Sequence, residues 1–333
     1  MPEHLRLSRR GLLSTAGALG LGALMTACGG GRASGDGSWS FTDDRGQQAT
    51  AAGRPQRVVA YVGSAAALRD FGAGDRIAGV FGPTKRADGR PDPLAGDLDV
   101  DKLTVLGNAW GEFSLERYAA LRPELLVTNM YQPGALWFVP DNSKDKILAL
   151  APSVAFTVAK VSLPKVIQRY ADLAAALGAD LEAARVTEAK ARFDRASETL
   201  RTAAAAAGGL TVMAASASAD LLYVSDPDVY ADLSYFRELG VDFVVPTNVT
   251  GGFFENLSWE NADRYRADLI LLDSRTAALQ PPDLVAKPTW SNLPAVKAGQ
   301  VVPWLSEPRF SHAGCAPLVE ALATALRSAR KVA

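Results

Sequence analysis

Three short segments of the chain recur at one fixed spacing. Gly107-Asn-Ala-Trp110 aligns with Gly251-Gly-Phe-Phe254, Ser114-Leu-Glu116 with Ser258-Trp-Glu260, and Glu124-Leu-Leu-Val127 with Asp268-Leu-Ile-Leu271, each pair 144 residues apart without a gap. One such match is coincidence; three in one register imply two related lobes, each giving loop, capped helix and strand in the same order. Between the copies, Leu181 to Ala206 is rich in Ala, Glu and Arg and contains no Gly or Pro. A helix over that stretch would run roughly 40 Å at 1.5 Å per residue, enough to cross from one lobe to the other.

The flanking sequence alternates apolar runs with helical patterns. A hairpin is expected where Trp39–Phe41 and Gln48–Thr50 flank Asp43-Asp-Arg-Gly46. Strands follow at 57–62, 76–81, 102–106, 124–129 and 153–157, with helices at 64–71, 114–121 and 145–150. Val166, Tyr170, Leu173 and Leu177 share a helical face that Gly178 terminates. After residue 206, strands are expected at 210–214, 220–224, 241–245, 268–273 and 300–304. Helices are expected at 229–239, 258–265, 282–287 and 316–330. Strands alternating with helices give two α/β lobes with mainly parallel sheets, joined by one long helix. The expected division is a leader at 1–27, a tether at 28–38, lobes at 39–180 and 207–333, and the connecting helix at 181–206.

The leader reads as an export signal. Ser8-Arg-Arg-Gly-Leu-Leu13 has the twin-arginine form, and an uncharged Gly/Ala-rich stretch from Gly11 to Ala27 is short and weakly apolar for a bilayer span. Leu24-Met-Thr-Ala-Cys28 ends it with small residues before a cysteine, which suits lipidation of Cys28. A plain N-terminal membrane anchor is the alternative. The following Gly29 to Ser38 cannot bury apolar surface and suits a flexible tether. A lipid on Cys28 would hold the folded part at the outer face of the cell membrane.

Without residues 1–27 the chain loses Arg6, Arg9, Arg10 and Glu3, so 32 cations face 35 acids and no basic field exists to hold nucleic acid. At 48% hydrophobic residues, disorder is excluded. With Cys28 assigned to lipid, Cys315 has no partner and reads as a small buried residue of the last helix. His4 leaves with the leader, so His312 is the one histidine of the exported chain. A protein cage for a bare transition metal usually needs several His. Any metal must therefore arrive inside a small chelator, and no metal site or cofactor is expected.

Ligands of parallel α/β sheets bind beyond the carboxyl ends of strands. Those loops carry Trp110, Tyr131, Trp137 and Phe138 in the first lobe. In the second they carry Tyr230, Phe253, Phe254, Arg275, Trp304, Arg309 and Phe310. Lys85 and Arg86 follow the second strand of the first lobe. Rings, a few cations and little acid suit a bulky, partly apolar chelate with oxygens on its surface. Some of the same rings would equally fill lobe cores. Trp110 and Phe254 hold equivalent places in the repeat and are the stronger candidates. There is no Gly-x-Ser-x-Gly, His-Glu-x-x-His or P-loop, so no catalytic device is read, and His312 suits a loop or cap.

The order of Arg57-Val-Val-Ala60, Ile77-Ala-Gly-Val80, Leu115-Glu116, Leu121-Arg-Pro-Glu-Leu-Leu126, Glu260, Ala267-Asp-Leu-Ile-Leu271 and Leu293-Pro-Ala-Val-Lys-Ala-Gly-Gln-Val301 carries a resemblance. From Trp39 onward the chain resembles the siderophore- and vitamin B12-binding class of ABC-importer substrate-binding proteins, nearest to its ferric-siderophore-binding lipoproteins. The resemblance implies a monomer that captures a ferric siderophore, hydroxamates favoured, and delivers it to a permease dimer. It places Trp110, Tyr131, Phe254 and Phe310 among the ligand contacts. Trp110 stands where a relative would offer Arg, so Arg309 or Arg275 would supply the cation. It also makes Glu116 and Glu260 the carboxylates that dock onto permease arginines, while helix capping by Ser114 and Ser258 accounts for the same acids structurally. A corrinoid or haem remains an alternative cargo, with His312 or Tyr131 as axial candidates for haem. A lipid-anchored esterase is a distant third reading.

Overall fold

The computed structural model describes residues 37–86 and 88–333; the leader, Cys28 and the tether as far as residue 36 lie outside the described residues. The hairpin forms as expected: β1 (Trp39–Thr42) pairs antiparallel with β2 (Gln48–Ala51). The Asp43 carboxylate accepts from the backbone N–H of Arg45 and Gln47 at 2.9 and 3.1 Å, closing the turn. It also accepts from Ala155 N at 3.0 Å, which fixes the hairpin to the first lobe.

The first lobe is built on five parallel strands, β3 (Val58–Tyr61), β4 (Ile77–Phe81), β5 (Thr104–Val105), β6 (Leu125–Met130) and β7 (Ser153–Thr157), in the order β5-β4-β3-β6-β7. Every residue of β3 and β6 is buried. Both faces of such a sheet are covered, hence the continuous apolar runs. The covering helices are α1 (Val62–Asp70), α2 (Leu115–Ala120), α3 (Lys144–Leu148) and α4 (Leu163–Ala176). Past α4, Gly178 adopts φ +93°, and a side chain there would meet the Arg54 guanidinium at 2.3 Å, so the stop needs glycine.

The long helix, α5, runs Ala184–Ala206 and not from Leu181. The Asp180 carboxylate accepts from Glu182 N at 2.9 Å, a local turn that competes with helix over those residues. Its 23 residues give about 34 Å. Val186, Phe193, Ala196, Leu200 and Ala203 form the buried face, which packs along the last helix, α10 (His312–Ser328).

The second lobe holds β8 (Thr211–Ala217), β9 (Leu221–Ser225), β10 (Asp242–Phe243), β11 (Phe254–Ser258), β12 (Leu269–Asp273) and β13 (Val301–Trp304). β8, β10, β12 and β13 are parallel; β9 runs antiparallel to β8, and β11, at the edge, antiparallel to β9. Its helices before α10 are α6 (Ala231–Glu238), α7 (Pro281–Leu284), α8 (Pro288–Asn292) and α9 (Pro294–Lys297).

The repeat holds in the strands. At the start of β6, Glu124 accepts from Gln56 N at 2.6 Å, entering β3; at the start of β12, Asp268 accepts from Thr211 N at 2.9 Å, entering β8. It fails in the helices. Ser114 caps α2 by accepting from Arg117 N at 3.3 Å, whereas residues 258–265 form no α-helix. Phe254–Ser258 is a strand with Glu255 and Leu257 buried at alternate positions, followed by one 3₁₀ turn at Trp259–Asn261, and Ser258 makes no capping bond to it. Trp110 and Phe254, equivalent in sequence, therefore sit on a loop and on an edge strand.

Candidate functional site

The carboxyl end of the first sheet presents a group of rings. Tyr61 closes β3, and the loop after β6 carries Tyr131, Trp137 and Phe138. Trp137 N donates to Asn129 O at 2.9 Å, and Thr128 Oγ1 donates to Trp137 O at 2.8 Å, folding the loop back over its own strand. Phe138 is held there at φ +59°, a left-handed conformation rare for an aromatic residue and tolerated where a fold needs a side chain aimed. Trp110 meets Trp137 and Phe138 edge-on at 4.9 and 5.1 Å between ring centroids. Tyr131 lies 4.6 Å from Trp137, and Tyr61 stacks on Phe138 at 5.4 Å. Trp110 is 64% exposed, so one indole of this group faces solvent.

Facing it, the second lobe surrounds a chamber of about 150 Å³ lined by Ser216, Tyr223, Ser225, Tyr230, Phe254, Asp273, Arg275, Trp304 and Ser306. Tyr230 meets Trp304 at 5.2 Å and Phe253 at 6.2 Å. Beside Tyr131 a wider groove of about 940 Å³ runs between the lobes, bounded by Gln132, Lys160 and Gly251–Phe253. The lobes are pinned around these spaces: Lys160 N donates to Val229 O at 2.8 Å, and Thr276 Oγ1 to Asp92 at 2.6 Å.

At the junction lies Glu307, 6% exposed, a residue absent from the sequence-based candidates. Its Oε2 accepts from the Tyr61 hydroxyl at 2.8 Å and from Trp137 Nε1 at 3.0 Å; its Oε1 pairs with Arg275. Arg275 also grips Asp273 through Nε and Nη2, at 3.0 and 2.7 Å to Oδ2. Burial opposes the Arg275 charge, but Glu307 and Asp273 outweigh it and hold its pKa above the ordinary value. Burial, then Glu307, raises the pKa of Tyr61 and Tyr131, so both stay protonated donors. Tyr230 is pushed up to about 12, chiefly by burial.

The sequence candidates thus divide. Trp110, Tyr131 and Trp137 join one wall; Tyr230, Phe253, Phe254, Arg275 and Trp304 gather on the other. Arg309 and Phe310 belong to neither. Arg309 pairs with Asp70 at 3.4 Å, and Phe310, 3% exposed, stacks on Tyr170 at 6.3 Å, inside the first lobe's core. The expectation of little acid in the site is also corrected, by Asp273 and Glu307. Glu116 and Glu260 are both exposed. His312 begins α10 between the rings of Phe71 and Phe193, where burial lowers its pKa; Cys315 is buried and free. Among the described residues, no three His, Cys, Asp or Glu side chains are placed to hold a metal ion.

The family described as periplasmic binding protein matches residues 58–308. The chain is similar to the crystal structure of DesE, a ferric-siderophore receptor protein from Streptomyces coelicolor, at 51% identity and a TM-score of 0.86, covering 89% of this chain and all of that one. The petrobactin-binding protein YclQ from Bacillus subtilis shares the fold at 16% identity and TM-score 0.65, covering 87% of this chain and 99% of its own. The iron uptake ABC transporter substrate-binding protein PiuA from Streptococcus pneumoniae does so at 18% and 0.61, covering 87% and 97%. No curated protein matches the chain.

Proposed function

The chain belongs to the periplasmic binding protein family, a binding family and not an enzyme family, and from that premise we propose that it captures a ferric siderophore at the junction of its lobes and delivers it to an ABC-importer permease. The observation that carries this reading is the ring cluster of Trp110, Tyr131, Trp137 and Phe138 set opposite Tyr230 and Trp304, with Arg275 between them. Rings bury the carbon surface of a wrapped iron complex. Three of the five Arg275 N–H groups are engaged by Asp273 and Glu307, which leaves two to donate to chelate oxygens. A hydroxamate fits that supply: its oxygens accept hydrogen bonds, and its ferric complex does not bring the multiple negative charges of a tris-catecholate. The 51% identity to a ferric-siderophore receptor supports the same class of cargo.

Iron stays in the chelate, and no bond is made or broken. Haem is the weaker cargo, because His312 is enclosed between two rings at the start of α10, away from the cleft residues. The twin-arginine leader and Cys28 support export and lipid anchoring at the outer face of the cell membrane, with Glu116 and Glu260 meeting the permease. Titration of intrinsic tryptophan fluorescence with ferric hydroxamate and ferric catecholate complexes tests the cargo. Quenching at micromolar or lower concentration by a hydroxamate is expected; no response to any ferric chelate would overturn the reading.

A further inference from the structure

Two hydrogen bonds tie the lobes at opposite ends of the cleft, and they are built differently. At one end Lys160 N donates to Val229 O at 2.8 Å, backbone to backbone, and Ala159 bridges to Tyr230 beside it. Lys160 follows β7, an edge strand of the first sheet, and Val229 follows β9. At the other end Thr276 Oγ1 donates to Asp92 Oδ2 at 2.6 Å. Asp92 follows β4 and Thr276 follows β12, so β3 and β6 separate the two ties in one sheet and β8 separates them in the other. Glu307 and Ser311 add interior ties, to Tyr61 and Trp137 and to Asp70.

The Thr276 tie can open without stranding a buried group. Asp92 is 3% exposed, and its Oδ1 accepts from Leu94 N at 3.0 Å, so the carboxylate stays oriented with or without Thr276. Thr276 is exposed, and water can replace it on Oδ2. Val229, by contrast, is 3% exposed, and parting it from Lys160 would strand a buried carbonyl. Opening at Asp92 also moves Trp110, which follows β5, the outermost strand on the same side of the first sheet. Residues 84–86 and 90–92 fold together, Asp92 N donating to Thr84 O and Arg86 N to Arg90 O, each at 2.9 Å. Thr84 N and Oγ1 donate to Asn108 Oδ1 at 2.8 and 2.7 Å, and Asn108 Nδ2 donates to Lys85 O at 3.0 Å. Asn108 N and Ala109 N donate in turn to Glu112 Oε2 at 3.0 and 3.1 Å, which clamps the loop that carries Trp110. A displacement of Asp92 therefore reaches the exposed indole through an unbroken series of hydrogen bonds.

A ligand needs that displacement. The chamber lined by Phe254, Arg275 and Trp304 measures about 150 Å³, whereas a pocket that encloses a small-molecule ligand measures about 300–1,000 Å³, so a chelate seated between Trp110 and Trp304 requires the walls to part. We propose that the Thr276–Asp92 bond is a latch: it opens about the backbone tie of Lys160 and Val229, and its opening gates entry and exit of the ligand at the Trp110 end of the cleft. The identity of the ligand rests on the ferric-siderophore reading; the motion does not.

Two variants of the full chain test it: Thr276→Val keeps the shape and removes the donor, and Thr276→Ser keeps the donor. Amide hydrogen exchange without ligand reads the motion. In Thr276→Val, residues 84–94 and 107–113 are expected to exchange at least about fivefold faster, with residues 157–163 and 226–231 unchanged and Thr276→Ser like the wild type. Stopped-flow tryptophan fluorescence with a ferric trihydroxamate reads the gate. Association and dissociation rates of Thr276→Val are both expected to rise at least about threefold, with Kd changed by less than about twofold, because a gate alters both directions of passage. Unchanged exchange in Thr276→Val, or faster exchange at both ends of the cleft, would overturn the latch. Faster exchange with unchanged rates would overturn the gate. Failure of every chelate to bind would overturn the siderophore reading and the gate with it, while the exchange pattern still decides the latch.

Discussion

The indole N–H of Trp137 and the carboxylate of Glu307, 170 positions apart in the chain, meet at 3.0 Å where the two lobes join. The same oxygen accepts from Tyr61, and the other pairs with Arg275. One buried carboxylate therefore sets the edge of a ring on the first lobe and a guanidinium on the second. Removing it leaves the buried Tyr61 hydroxyl and the part-buried Trp137 indole N–H without an acceptor, while Arg275, one-third exposed, keeps Asp273. Glu307→Ala is expected to lower the unfolding free energy by about 1–3 kcal/mol, with Glu307→Gln intermediate. Urea unfolding of the three proteins checks this, and equal midpoints would show that the junction does not depend on Glu307.

Trp110 and Phe310 were candidates of the same kind in the sequence, and the structure separates them. Trp110 is 64% exposed at the rim, whereas Phe310 is 3% exposed against Tyr170. Trp110→Ala should weaken siderophore binding by about 1–3 kcal/mol with little change in unfolding. Phe310→Ala should cost about 3–5 kcal/mol of stability while its folded fraction binds like the wild type. Affinity and urea midpoint measured on both variants decide it; the opposite pattern would return Phe310 to the site.

That contrast marks what a sequence can carry. Buried strands such as Val58–Tyr61 and Leu125–Met130 were legible because parallel sheets covered on both faces leave unbroken apolar runs. The rings of the cleft were legible as a set, because loops after strand ends are where such a fold meets ligands. Two kinds of information were missing. Glu255 and Leu257 alternate toward the interior, but a period of two over five residues is too short a signal to stand out beside the match of Ser258-Trp-Glu260 to Ser114-Leu-Glu116. Glu307 gave no signal at all: an acid in a loop reads as solvated until Tyr61, Trp137 and Arg275, distant in the chain, are seen to close over it.

Glu116 and Glu260 remain exposed although their local frames differ, one in the first turn of α2 and the other in a 3₁₀ turn. Exposed carboxylates orient a partner more than they hold it. Glu116→Arg and Glu260→Arg are expected to reduce iron-siderophore uptake by at least about tenfold, since like charges would face each other across the contact, with siderophore affinity unchanged. Uptake by cells and fluorescence affinity of the purified variants separate the two roles. Loss of affinity would place these residues in the binding site and not at the permease.

Asp232 makes the stability of the second lobe sensitive to acid in an unusual direction. Burial raises its carboxyl to about 6 from an ordinary 3.8, only partly offset by the hydrogen bond from Trp304. Between those values the folded chain holds a proton that the unfolded chain has released. Its contribution to stability is thus fully present below about pH 4 and is lost as pH rises through about 6. A shift of this size corresponds to about 3 kcal/mol. Asp232→Asn keeps an acceptor for Trp304 but cannot ionise, so the difference in unfolding free energy between Asn and Asp should move by about that amount in favour of Asn from pH 4 to pH 7.5. Urea unfolding of both proteins at the two pH values measures it. A difference that stays constant with pH would mean that Asp232 titrates as an ordinary carboxyl and that Trp304, in the wall of the chamber, leans on a charge already compensated.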